Sequence, residues 1–321
     1  MPGYGQIGHI GFAGESTWGT PVAVGSGDFL EALSESVTME IERFDVKNIV
    51  GRYAEPDDVA GLRRIAGEIT VPAHPLQLGY FLRGAFGKQA VATTVLSGFL
   101  WNDQFLPATA EDGTNNPLPP WTLEIFRDVT SAHRYAGVQF GKLTLAVEPN
   151  QDLRVTAGLL AKTTSVIAKS TPTYPGTGPS PFTWDTTSVQ VGGAAVDYVE
   201  ALSVDFDNQV EGIPVLNNAT EIARVRRSGP QLVRVSGTLG FENLTEYNRF
   251  LNQTEVELIA TWTKADSFAL LVRVPRLVYT AFPLGLSGRE RMTVGFEGLG
   301  RYKVASSYAI EAVLTTIRSF F

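Results

Sequence analysis

Residues 231–241 read QLVRVSGTLGF. Val233 and Val235 alternate with Arg234 and Ser236, and Leu239 and Phe241 resume the alternation beyond Gly237. A period of two is that of a β-strand with one buried and one exposed face. The same period recurs outward from this stretch. Residues 119–127 (PPWTLEIFR) carry Trp121, Leu123 and Ile125, and residues 139–147 (QFGKLTLAV) carry Phe140 and then Leu143, Leu145 and Val147. The shift between Phe140 and Leu143 predicts a bulge at Gly141. Residues 268–274 and 291–296 read as further strands. Helical spacing is rare. Residues 75–86 put Leu78, Phe81, Leu82 and Ala85 on one face, with Pro75 suited to a first turn. Residues 244–252 put Leu244, Tyr247, Phe250 and Leu251 together, and Asn243 with Glu246 reads as a capping pair. Residues 304–318 fit a strand or a helix. Residues 102–120 read as a loop.

The strand at 231–241 has a counterpart earlier in the chain. Arg64-Ile65-Ala66-Gly67-Glu68-Ile69-Thr70 matches Arg234-Val235-Ser236-Gly237-Thr238-Leu239-Gly240 in pattern. Upstream, FLEALS at 29–34 resembles YVEALS at 198–203; downstream, Tyr80-Phe81-Leu82 corresponds to Arg249-Phe250-Leu251. Closing strands near Leu153–Thr156 and Met292–Gly295 complete each set. One order of elements at a nearly constant offset predicts an internal duplication. Between the copies, residues 170–184 hold Pro172, Pro175, Pro179 and Pro181 and read as a linker. The expected organisation is therefore a first domain over 1–169 with an N-terminal arm, a linker over 170–185 and a second domain over 186–321.

Composition narrows the function. The chain has 321 residues, 32 glycines, 18 prolines and no cysteine, with a net charge of −7. Thiolate metal sites and cysteine nucleophiles are excluded. An acidic balance without basic blocks argues against binding through phosphate neutralisation. No apolar run reaches the length of a membrane helix, and the opening MPGYGQIGHIGF reads as no signal peptide. His9, His74 and His133 have no carboxylate or second histidine nearby in sequence and read as surface or loop residues. Residues 3–8 spell GxGxxG, but no strand precedes them, so they read as a glycine-rich arm rather than a dinucleotide site. Asp57-Asp58 reads as a solvated turn, and the sequons at Asn218, Asn243 and Asn252 carry no weight without a secretory signal. No catalytic, cofactor or metal-binding residues are assigned.

Two long segments, 35–62 and 204–230, occupy equivalent places in the two copies. They scatter apolar residues among charges: Phe44, Val46, Ile49, Val50 and Tyr53 in the first, Ile213, Val215, Leu216 and Ile222 in the second. Such excursions are contact surfaces or mobile loops.

The stretch Gly14-Glu15-Ser16-Thr17-Trp18-Gly19-Thr20-Pro21-Val22-Ala23 is similar to the opening of many siphophage tail tube proteins, where a GxESxxGT pattern precedes the first strand. The order of elements also resembles that family: a strand, a long hairpin loop, a glycine-containing strand, a short helix and closing strands. The resemblance implies an all-β fold with minor helix, made of two tandem tail-tube-type β-sandwich or half-barrel domains, each flanked by a short α-helix. It implies rings of six domains, hence three chains at two domains each, stacked into a hollow tail tube in the virion. DNA would pass through the tube without specific binding. Implied partners are further copies of the chain, a tape-measure protein and tail-terminator or tip proteins, with synthesis in the host cytoplasm. The resemblance makes the two long segments inter-ring contact loops, with Phe44, Val46, Ile49, Tyr53, Ile213, Val215 and Leu216 as contact residues. Glu40, Glu42, Asp205 and Asp207 are candidate lumen-facing acids.

Two other classes compete. A two-domain β-sandwich lectin or adhesin would stack sugars on Trp18, Trp101, Trp121, Trp184 or Trp262. A β-sandwich glycosidase needs a positioned acid and base, and no pair of carboxylates stands out.

Overall fold

The computed structural model describes residues 5–49, 51, 53–54, 57–95, 100–108, 118–174, 180–264, 267–285, 291–318 and 320; for 88–95 only the backbone is described. The first half contains β1 (His9–Gly14), β2 (Phe29–Leu30), β3 (Ser34–Glu35), β4 (Thr38–Asp45), β5 (Asp58–Pro72) and α1 (Leu78–Phe86). It continues with β6 (Gly87–Val95), β7 (Leu100–Pro107), β8 (Trp121–Phe126), β9 (Ser131–Val147), β10 (Arg154–Ala161) and β11 (Thr163–Ala168). The second half contains β12 (Thr187–Val191), β13 (Ala194–Val196), β14 (Val199–Asp207), β15 (Val210–Ile213), β16 (Arg224–Arg227), β17 (Leu232–Gly240) and α2 (Thr245–Leu251). It ends with β18 (Val256–Thr263), β19 (Ala269–Ala281), β20 (Thr293–Gly300) and β21 (Glu311–Thr316). The protein is all-β with minor helix.

Long strand β9 organises the first half. Its first part pairs with β8 and β11, and its second part with β10, so one strand serves two sheets. Between the parts, pairing steps from Leu159↔Phe140 to Gly158↔Lys142, which leaves Gly141 bulged as the sequence predicts. β19 plays the same part in the second half: it pairs with β18 and β21 early and with β20 late, and steps around Thr280. β10 continues to β5 and on to β3 and β4, as β20 continues to β17 and β14. β8 leads to β1 and β2, as β18 leads to β12 and β13. A further irregularity recurs: Trp121↔Val138 steps to Leu123↔Tyr135, and Val256↔Leu277 steps to Leu258↔Val274.

The central glycines of β5 and β17 have a common cause. A Cβ on Gly67 would stand 2.5 Å from the Val37 Cα, and one on Gly237 would strike the Ala201 carbonyl. Each glycine thus lets the neighbouring backbone approach closely. The registers depart from the hexapeptide match, however. Phe29 and Leu30 form β2 against β1, whereas Val199 to Ser203 lie within β14. Alternating apolar residues suit several registers, and pairing rather than local likeness selects one.

The two halves share one sheet. β9 pairs along Val147 to Lys142 with Leu202 to Asp207 of β14, all antiparallel. β21 pairs with β7 on the other side. Leu143, Leu145, Leu202, Val204 and Phe206 face the core at this junction. Beneath the first half, α1 buries Leu78, Phe81, Leu82 and Ala85, the face read from sequence. The helix ends at Gly87, whose φ of 76° is the left-handed conformation of a helix C-cap.

Several sequence expectations change. Residues 102–107 are strand, not loop, because β7 is held between β6 and β21; residues 109–117 lie outside the described residues. Residues 5–7 form a 3-10 turn leading straight into β1. His9 is buried rather than superficial: its Nε2 lies 3.3 Å from Glu124 and its ring stacks on Phe126. His74 meets Glu31 at 3.1 Å, a carboxylate brought near by folding. The Asn243 side chain accepts the Thr245 N–H, but Glu246 turns inward to Tyr198, Tyr279 and Arg249 instead of closing a capping box. The ambiguous C-terminal segment is strand at 311–316. The proline-rich segment is laced to the first half at its ends: Gly27 donates to the Thr173 carbonyl, and buried Phe182 exchanges backbone bonds with Ala73 and Leu153.

Candidate assembly surfaces

Opposite the core, the shared sheet presents a polar face. Its rows can be followed strand by strand. Ser34 pairs with Thr70, Thr70 with Thr156, Thr156 with Thr144, Thr144 with Asp205 and Asp205 with Arg234. Side chains bond along this row: the Thr70 and Thr156 hydroxyls are 3.0 Å apart, and Thr144 donates to Asp205. Such cross-strand pairs supply sheet stability without apolar burial. Threonines and a serine make up most of this row, and charged residues, Asp205 and Arg234 in it and Glu68 and Lys142 beside it, complete a polar surface spanning both halves.

The four acids read as lumen candidates fall on this side. Asp205 and Asp207 alternate with buried Val204 and Phe206 along β14. Glu40 and Glu42 alternate with Met39 and Ile41 along β4, and Met39 pairs with buried Ile65. Bases accompany them: Arg64 bonds Glu42, and Lys142 Nζ lies 3.5 Å from Asp205. The Asp207 carboxylate accepts the Gln209 N–H at 2.8 Å. The face is therefore of mixed charge rather than uniformly negative.

The long segments are two hairpins. In the first, β4 and the outer part of β5 pair from Thr38↔Ala66 to Asp45↔Asp58, and every residue of β4 is exposed. Phe44, Ile49 and Tyr53 stand in solvent, Ile49 and Tyr53 completely; Val46 is half-buried. Val50 lies outside the described residues. In the second, β15 pairs with β16; Leu216 is fully exposed, and Ile213 and Val215 are half-buried. Ile222 of this segment is buried instead, so it belongs to the hairpin's own packing. The hairpins touch where Arg63 N–H donates to the Thr220 carbonyl at 2.7 Å. A lone exposed apolar residue is unremarkable, but the first hairpin exposes three large ones, Phe44, Ile49 and Tyr53.

The GxESxxGT stretch is a structural pin. Buried Glu15 accepts from the Gly19 N–H at 2.8 Å, the Gly137 N–H at 2.9 Å and the Thr122 hydroxyl at 2.7 Å. Trp18 Nε1 donates to the Gly137 carbonyl at 3.0 Å, and Lys162 Nζ lies over its ring. This motif fixes the N-terminal loop to β8 and β9. The sequence marks it as a signature; its three-donor role emerges only from the fold.

A second buried carboxylate, Glu246, ties α2 to the sheet. It accepts from Tyr279 at 2.7 Å, Tyr198 at 3.1 Å and Arg249 at 2.6 Å. Burial, with Glu246 beside it, pushes the Tyr198 hydroxyl up to about 12 and raises Tyr279 as well. Both phenols therefore remain donors at neutral pH.

Ligand chemistry finds little to build on. Among the described residues no group of three His, Cys, Asp or Glu side chains is arranged for a metal ion. Trp121 and Trp262 are core residues, which leaves Trp184 as the exposed tryptophan and Trp18 and Trp101 half-buried. No helix among the described residues is long and apolar enough to cross a membrane.

Residues 5–300 match the family model described as Phage tail tube protein. No curated protein matches the chain.

Proposed function

The chain belongs to the phage tail tube protein family, and from that premise we propose that it forms trimeric, pseudo-hexameric rings that stack into the hollow tube of a siphovirus-like tail. The family is a structural one, a component of the virion tail, and not a family of enzymes. In this reading the halves, bounded as 1–169 and 186–321, are two tube domains. The repeated pairing scheme around β9 and β19 supports that division. The observation that carries the proposal is the antiparallel sheet running through both halves, core on one face and polar and charged side chains on the other.

The polar face lines the lumen. Its mixture of threonine, serine and charges of both signs presents passing DNA with no uniformly basic surface, so phosphates slide without being held. Glu40, Glu42, Asp205 and Asp207 contribute its acids. The hairpins carrying Phe44, Ile49, Tyr53 and Leu216 reach the neighbouring ring. A tape-measure protein inside the tube and terminator or tip proteins at its ends are the further partners, and the chain is made in the host cytoplasm.

Negative-stain electron microscopy of the purified chain over a concentration series, with mass measurement of the smallest ring, tests this. Hollow tubes or rings of three chains with a sixfold outline are expected. A stable discrete particle that binds glycans overturns it.

A further inference from the structure

Past β21 the chain runs onto α1 of the first half and is fastened there. Phe320 is buried, with its ring edge-on to that of Tyr80 at 5.2 Å. A Cβ on Gly79 would strike the Phe320 ring, so this glycine is the floor of the seat. Arg83 donates to the Phe320 carbonyl at 2.8 Å. Arg318 donates to Asp28 at 2.7 Å and to the Gly27 carbonyl at 3.1 Å, and its guanidinium lies over the Tyr80 ring. Tyr80 in turn donates to Asp28. These contacts tie the segment after β21 to α1 and to the connection between β1 and β2.

The last partner of this clasp is a buried acid. The Phe320 N–H donates to Asp103 Oδ2 at 3.2 Å. Asp103 is fully buried, directed inward from β7 as Phe105 is, and Leu314 of β21 lies opposite it. Its Oδ1 has no partner. Thr316, its diagonal neighbour across the strand pair, is also fully buried, and its Oγ1 has no partner either. Two buried oxygens with no donor between them are costly when one of them carries charge.

The charged groups around Asp103 are engaged elsewhere. On α1, Arg83 holds the Phe320 carbonyl. On the clasp, Arg318 holds Asp28. Ala92 is the residue opposite Asp103 on β6. Glu311 stands on the other face of β21, bonded to Gln104, Arg273 and Tyr308. Burial and the Asp28 carboxylate raise the Tyr80 hydroxyl, which stays a neutral donor. Burial likewise lifts the Asp103 carboxyl above its ordinary range, and the single N–H from Phe320 opposes this only in part. A neutral carboxyl carries an O–H donor where Thr316 Oγ1 lacks one; an ionised carboxylate carries none.

We infer that residues 317, 318 and 320 form a proton-sensitive clasp: with Asp103 protonated it is shut on α1, and ionisation of Asp103 loosens it and frees the end of the second half from the first. The shut form holds the proton more tightly than the open one, in which Asp103 meets water. The clasp is therefore firmest at acid pH, and its hold is lost as pH rises through the raised value of Asp103. It lies within one chain, so its behaviour does not depend on ring formation.

The chain has no cysteine, and Ile317 is exposed, so Ile317→Cys takes a single nitroxide label. Electron paramagnetic resonance of the full chain then reports the mobile fraction of the label from about pH 5 to about pH 9. Phe320→Ala, which empties the seat, calibrates the signal of the open clasp. Expected is a mobile fraction that rises at least about threefold with pH. In Asp103→Asn, which keeps an acceptor for the Phe320 N–H and cannot ionise, the fraction stays at its acid level. A label equally immobile throughout the range overturns the inference, as does an equal rise in Asp103→Asn. Should Asp103→Asn fail to fold, Thr316→Val decides in its place. Loss of the acceptor for the neutral acid then moves the rise to lower pH, and an unmoved rise overturns the inference.

Discussion

β4 and β14 occupy corresponding places in the two halves, and they differ in one respect. Both alternate apolar and polar residues, Met39 and Ile41 in one, Val204 and Phe206 in the other. β14 buries its apolar row; β4 is exposed throughout. The cause is the neighbour, since β14 is flanked on both sides and β4 on one. Burial here belongs to the junction rather than to the strand. The open strand also carries Glu40, Glu42, Arg43 and Asp45. Charges on an unpaired edge discourage indiscriminate pairing and restrict it to a complementary surface.

The largest expected break in this comparison comes from placing a charge in each strand. Val204→Asp strands a carboxylate in the inner junction and costs more than about 3 kcal/mol by urea unfolding. Met39→Asp leaves the isolated chain's stability within about 0.5 kcal/mol yet removes rings from electron micrographs. Equal losses of stability would erase the distinction between the strands. A smaller effect follows at the two close-approach glycines. Gly237→Ala pushes on the carbonyl of a strand held from both sides and costs about 1–3 kcal/mol. Gly67→Ala costs less, because among the described strands β3 and β4 pair with β5 alone; a thermal-melt ranking in the opposite order would show that the outer edge is as rigid as the inner one. Smallest is Glu15→Gln, which removes one acceptor from the Gly19, Gly137 and Thr122 donors without touching either edge. A loss of about 1–2 kcal/mol with ring formation unchanged would separate the signature motif from assembly.

The strands were largely legible because alternation is a local property. The bulge at Gly141 could be read from a single displaced apolar residue, and the buried face of α1 from its spacing. What the sequence did not display depends on contacts across long separations. β7 has the composition of a loop, Asn102 and Asp103 included, and is strand because β6 and β21 hold it. His9 reads as a surface or loop residue until Glu124 and Phe126 enclose it. The hexapeptide likeness located the right region of each half but not the register, which the approach of backbones at Gly67 and Gly237 decides. For the acids, alternation placed Asp205 and Asp207 away from the core; the bases that temper them, Lys142 and Arg64, come from other strands.

The pairing of β7 with β21 also sets a timetable. Residues 100–107 leave the ribosome long before residues 311–316. At about 5–20 residues per second, the interval between them is on the order of 10–40 s. Throughout that time β7 has β6 on one side and nothing on the other. Contacts this distant in sequence also slow folding itself. The β7 edge is closed only when β21 docks, so a growing chain carries that unfinished edge through the synthesis of about two hundred further residues. Finished molecules, not nascent ones, supply the sheet on which neighbours can build.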